Sequence, residues 1–146
     1  MKTIELGYGA GAISDYPWHL DGTRPWTDGD SVRARECLGS LKGLGIGWID
    51  SAWRYGGGTS ERLIGEKFSA ATGKLPYLIA KVEMGTAEEM GRKLRETRER
   101  VFPLGTDVIL LHNPDLSDRD GIERACRWLV STRVSRYGIS TEPSNE

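Results

Sequence analysis

Residues 46–68 read IGWIDSAWRYGGGTSERLIGEKF. An apolar run ends in an aspartate, a tyrosine follows five residues later, and three glycines precede an amphipathic stretch. The pattern is that of a strand, a loop and a helix. Asp50 stands at the end of the strand rather than inside it. On its own it is read equally well as a turn former, and Tyr55 as a loop aromatic packed on its own strand.

The rest of the chain repeats the alternation. Four amphipathic stretches follow the helical period. Residues 31–41 carry Ala34, Cys37, Leu38 and Leu41 on one face, with Asp30 or Ser31 as the start signal, and residues 59–71 gather Leu63, Ile64, Phe68 and Ala71. Residues 86–101 open with a capping box, Thr86 to Glu89, and bury Ala87, Met90, Leu94 and Val101. Residues 121–130 bury Ile122, Ala125, Cys126 and Leu129. Apolar runs lie between them at 3–11, 46–52, 77–84, 107–114 and 135–141. Strand and helix in alternation predict an α/β fold with a parallel sheet and crossover helices.

Strands covered on both faces read as continuous apolar runs, so a polar residue within one is informative. Asp50, Lys81 and His112 each stand near the end of such a run, at steps of 31 residues. Parity agrees, because residues 46, 48 and 50 share a strand face, as do 77, 79 and 81, and 108, 110 and 112. The three groups are therefore expected at one level, on the C-terminal rim of adjacent strands, where ligands bind in parallel α/β folds.

Composition narrows the function classes. At 146 residues the chain has room for one core, and a net charge of −1 gives no reason to expect a nucleic-acid or membrane surface. The charges of residues 92–100 alternate in sign and read as a solvated helix face. No apolar run approaches the roughly 20 residues of a membrane helix, and Glu5 interrupts any signal-like start. Cys37 and Cys126 fall on apolar faces and read as buried thiols, so a reduced, cytoplasmic setting is expected. Two histidines cannot build a His-rich metal site, and no metal is expected. Gly7, Gly9 and Ala12 match a dinucleotide-turn pattern, but residues 13–29 do not make the helix that motif requires. Gly56, Gly57 and Gly58 lack the lysine of a phosphate loop and read as a flexible turn.

Chemistry connects the polar groups. An inward lysine among apolar residues keeps its charge only beside a carboxylate, which Asp50 supplies. A cationic Lys81 makes the phenol of Tyr55 a better proton donor, and His112 can orient a substrate oxygen. The set suits protonation of a carbonyl oxygen as hydride reaches its carbon.

These segments carry a resemblance. Residues 45–66, LIAKVEM (78–84), ILLHNPD (109–115) and SRYGIST (135–141) resemble, in order, the strand-end motifs of the aldo-keto reductase family. Its members are (β/α)8 barrels that reduce carbonyl compounds with NADPH. The resemblance covers essentially the whole chain. It implies a catalytic tetrad of Tyr55, Lys81, Asp50 and His112, with Tyr55 as proton donor. It further implies that Trp53 and Trp26 shape the substrate pocket, with rim packing as their alternative role. Ser140, Thr141, Asn113 and Gly11 are implied on the cofactor side, Thr141 standing where the family usually has an asparagine at the nicotinamide amide. Ala10 likewise replaces a common threonine.

A (β/α)8 barrel takes about 250 residues. The expectation is thus a partial TIM barrel, a half-barrel-like sheet of about five strands with outer helices, forming one domain over residues 1–146. The C-terminal half of the barrel, which in the family supplies most of the cofactor site, is expected to be absent. Open edges and an inner face carrying Trp48, Tyr77 and Leu110 call for a homo-oligomer or a complementary chain. The rival reading is a non-catalytic half-barrel assembly or small-molecule-binding module.

Overall fold

The apolar runs form one parallel sheet in the computed structural model, which describes residues 6–13, 27–41 and 44–141. The strands are β1 (Gly7–Gly9), β2 (Trp48–Asp50), β3 (Tyr77–Val82), β4 (Thr106–His112) and β5 (Arg136–Ser140), hydrogen-bonded in the order β1-β2-β3-β4-β5. Helices α1 (Asp28–Leu41), α2 (Thr59–Phe68), α3 (Ala87–Val101) and α4 (Arg119–Ser131) alternate with them. Every strand pairs with its sequence neighbour, as in a barrel, rather than reversing direction at a switch point. No helix among the described residues is long and apolar enough to cross a membrane.

The alternating face opposite Asp50, Lys81 and His112 builds the core. Ile49, Leu78 and Ala80 pack with Ala34, Leu38, Leu63 and Ile64, whereas Val82, Ile109 and Leu111 pack with Met90, Leu94, Ala125 and Leu129. The inner face is open. Trp48, Tyr77, Ile79, Asp107, Val108, Ser135 and Arg136 line a trough of about 570 Å³ on it. Trp48 lies so close over β1 that a Cβ on Gly7 would come within 2.1 Å of the indole.

The helix ends are specific. Thr86 caps α3 and exchanges hydrogen bonds with Glu89 as the sequence predicts, but Ala87 is exposed and Thr97 joins the buried stripe instead. Helix α1 begins at Asp28, earlier than expected. Asp30 is not its cap but the partner of Thr27, whose backbone N–H donates to Asp30 Oδ2 at 2.9 Å. Cys37 is exposed and Cys126 half-buried, both as free thiols, so the buried-thiol expectation fails. The α1 stripe runs Ala34–Leu38–Leu41, and position 37 falls at its margin. After β1 the chain makes a short 3-10 turn over Ala10–Ile13, and most of the stretch on which the dinucleotide turn is set aside, residues 14–26, lies outside the described residues.

Candidate active site

Strand β2 delivers Asp50 to the inner face, and the chain leaves it through two hydrogen bonds that extend the β2–β3 ladder. The Ser51 N–H donates to Ile79 O at 2.9 Å and the Trp53 N–H to Lys81 O at 3.0 Å. Tyr55 then opens a 3-10 turn, Tyr55–Gly58, that reverses through left-handed backbone at Gly56 (φ 58°), Gly57 (φ 58°) and Gly58 (φ 93°). At Gly58 a side chain would also meet the Arg100 guanidinium at 2.5 Å. All three glycines thus take the left-handed backbone that the reversal requires and that L side chains rarely adopt. Ser60, at the start of α2, fastens the loop from below. Its hydroxyl donates to Ala10 O at 2.9 Å and shares a 3.1 Å hydrogen bond with Ser51.

Lys81 is the hub. Its ammonium donates to Asp50 Oδ1 at 2.5 Å and to the Tyr55 hydroxyl at 2.9 Å. Burial by itself would push the Lys81 ammonium down, but the hydrogen bonds from Asp50 and Tyr55 outweigh it and hold the group above its ordinary value. The lysine is thus a buried cation with its counter-charge in contact. His112 sits edge-on to Tyr55, with ring centroids 5.7 Å apart and planes at 87°.

The four groups converge, but not at one level. Asp50 lies opposite Ile79, and Lys81 lies opposite Leu110. Each successive polar residue stands two positions further along its strand than its neighbour's partner. Equal spacing in sequence therefore becomes a stagger across the sheet, as strand tilt in a barrel demands. The long side chain of Lys81 spans the step down to Asp50.

The register that sets Lys81 against Leu110 and Val82 against Leu111 brings Glu83, one position on, beside His112. Sequence reading passed over Glu83, although residue 83 shares the parity of 77, 79 and 81. Its Oε1 faces His112 Nδ1 at 3.8 Å, longer than a hydrogen bond, and its Oε2 accepts from Lys93 Nζ at 3.0 Å. Burial opposes ionisation of Glu83, but His112 and Lys93 together lower its carboxyl to about 2.

Trp53 turns to α3. Its indole N–H donates to Glu96 at 2.7 Å, and Arg92, Lys93 and Arg100 face the ring at 5.0 to 5.8 Å. Arg100 continues inward to Glu61, a fully buried carboxylate that also accepts from Thr97 at 2.8 Å, so the α3 face is only partly solvated. Trp26 lies outside the described residues.

Ser140 closes β5 opposite His112, and the Asn113 N–H donates to Ser140 O at 2.7 Å with Asn113 in left-handed backbone (φ 47°). Thr141 follows, exposed. Gly11 lies against the Tyr55 ring, where a Cβ would make ordinary contact at 3.7 Å. Among the described residues no three His, Cys, Asp or Glu side chains gather as metal ligands.

No protein-family model matches this sequence, and no curated protein does. Solved structures do match, and they are aldo-keto reductases. A thermostable aldo-keto reductase in complex with the inhibitor epalrestat superposes with a TM-score of 0.73 at 22% identity, over 99% of this chain and 52% of its own. The glycerol dehydrogenase of Gluconobacter oxydans gives 0.71 at 16%, over 95% and 45%. An aldo-keto reductase from Klebsiella pneumoniae in complex with NADP and acetate gives 0.64 at 20%, over 95% and 46%. The chain spans about half the length of the solved structures it matches. Such identities establish a common fold.

Proposed function

We propose, from the premise that this chain folds as about half of an aldo-keto reductase barrel, that it carries the proton-donor centre of an NADPH-dependent aldehyde or ketone reductase. The observation that carries the reading is the Lys81 ammonium bonded at once to Asp50 and Tyr55. A phenol touching a buried cation is poised to give its proton to a carbonyl oxygen, and the cation then stabilises the phenolate left behind. Asp50 keeps Lys81 charged through the step. His112, across the Tyr55 ring, orients the carbonyl oxygen by hydrogen bond.

NADPH supplies hydride when bound. Asn113, Ser140, Thr141 and Gly11 would hold its nicotinamide end, since the three polar residues offer hydroxyl and amide groups at the rim beside His112 and Gly11 adds no side chain beside Tyr55. That donor set suits an amide-bearing ring. The proposed setting is cytoplasmic and the proposed unit is a single half-barrel domain over residues 1–146. Exposed Tyr77 on the inner face, and exposed Tyr137 and Ile139 on the outer face of the edge strand β5, support a homo-oligomer that covers the open face and its edge.

The open trough favours one second reading, a non-catalytic half-barrel assembly or small-molecule-binding module. Titration with NADPH, following the fluorescence of the five tryptophans with solution mass recorded alongside, separates the two. The reductase reading expects saturable binding and turnover of a carbonyl panel. In Tyr55→Phe turnover falls about 10²- to 10⁴-fold with NADPH affinity kept. Self-association without NADPH binding up to millimolar concentration would leave the assembly reading standing.

A further inference from the structure

Two buried polar atoms meet at the rim without joining. Among the described residues, Glu83 Oε1 and His112 Nδ1 have no hydrogen-bond partner, and they are 3.8 Å apart. A closure of under about 1 Å makes the bond. Orphaned buried polar atoms are uncommon, and two facing each other satisfy one another on closing. Burial opposes the Glu83 anion, and the charged neighbours of Glu83 favour it. Lys93 from α3 donates to its other oxygen, and Arg54 from the loop after β2 approaches Oε1 at 4.0 Å. His112 also meets the Tyr55 ring in a T-shaped contact.

We propose that Glu83 is the positioning residue of His112, accepting the Nδ1–H of the imidazole and so fixing both the ring and its tautomer. Nε2 is then the nitrogen left to meet a substrate. With Nδ1–H committed to Glu83, neutral His112 offers a lone pair at Nε2, and it donates to a carbonyl oxygen only as imidazolium. The use of this contact in catalysis rests on the reductase reading, whereas the contact itself does not.

The test is ¹⁵N NMR of the full chain labelled at histidine, followed from acid to alkaline pH. The chain has two histidines, and a His19→Asn variant assigns the signals. In the wild type, deprotonated His112 is expected to keep its proton on Nδ1. In Glu83→Ala, which removes the acceptor, it is expected to move to Nε2, and Glu83→Asp is expected to restore part of the Nδ1–H signal. A wild-type His112 that deprotonates to the Nε2–H tautomer overturns the proposal, whether or not the variants fold. An unchanged Nδ1–H signal in folded Glu83→Ala also overturns it. NADPH binding and turnover are read on the same samples. Loss of both with the Nδ1–H tautomer present defeats the reductase reading alone, and turnover with the Nε2–H tautomer defeats this inference alone.

Discussion

The two faces of the same strands differ sharply. On the outer face Ile49, Leu78, Ala80, Val82, Ile109 and Leu111 are each 0% exposed, sealed by helices. On the inner face, one residue away along each strand, Trp48, Ile79, Val108 and Leu110 are half-buried, and Tyr77 is 52% exposed. Over β2 to β4 the first is a finished core, whereas at β5 its Tyr137 and Ile139 are exposed, and the second is a surface of core-like residues whose cover is not among the described residues. The polar cluster belongs to the unfinished face, yet it is held from the finished side through Ser60, Gly58 and Arg100. The site geometry therefore does not wait on whatever closes the barrel.

The largest effect expected from this comparison is on stability. Leu78→Ala should cost about 2–5 kcal/mol in urea unfolding, because it opens a cavity in a sealed layer. Val108→Ala, on a neighbouring strand but the other face, should cost less than about 1 kcal/mol. Equal costs would mean that the inner face is covered in solution, and dilution should then lower the Val108→Ala cost alone.

Next comes the link between the faces. Gly58→Ala should lose about 1–3 kcal/mol, since its φ of 93° is unsuited to a side chain and Arg100 fills the space. Gly57→Ala, at φ 58° with nothing within 4 Å, should lose only about 1 kcal/mol. Thermal melts of the pair decide, and similar losses would show that backbone conformation alone governs the reversal.

The smallest effect concerns pH. The folded-state carboxyl of Glu83 lies at about 2, below its ordinary value of 4.5. Its contribution is therefore complete above about pH 4.5 and is lost as pH falls toward 2. Acid unfolding should lose on the order of 1 kcal/mol of its pH dependence across that window in Glu83→Gln, once solvent screening is allowed for. An unchanged acid limb would remove Glu83 from the rim network.

Much of this was legible beforehand for identifiable reasons. Helix and strand periods differ, so apolar spacing alone located four helices and five strands, and the capping box at Thr86 placed the start of α3. Strand parity put Asp50, Lys81 and His112 on one face. Other features were hidden. Glu83 reads as the polar end of a strand until the β3–β4 register brings it beside His112. That the Trp53 indole N–H donates to Glu96, 43 positions later in another helix, has no local sign in the chain.

By itself, then, the sequence determined which strand residues share a face, because that depends only on local periodicity. The tertiary structure decided which inward residues touch. Stagger between strands displaced Lys81 from the level of His112, and the left-handed reversal at residues 56–58 carried Tyr55 onto Lys81. Both depend on how separate segments are set against one another in space, and no local pattern in the chain encodes that.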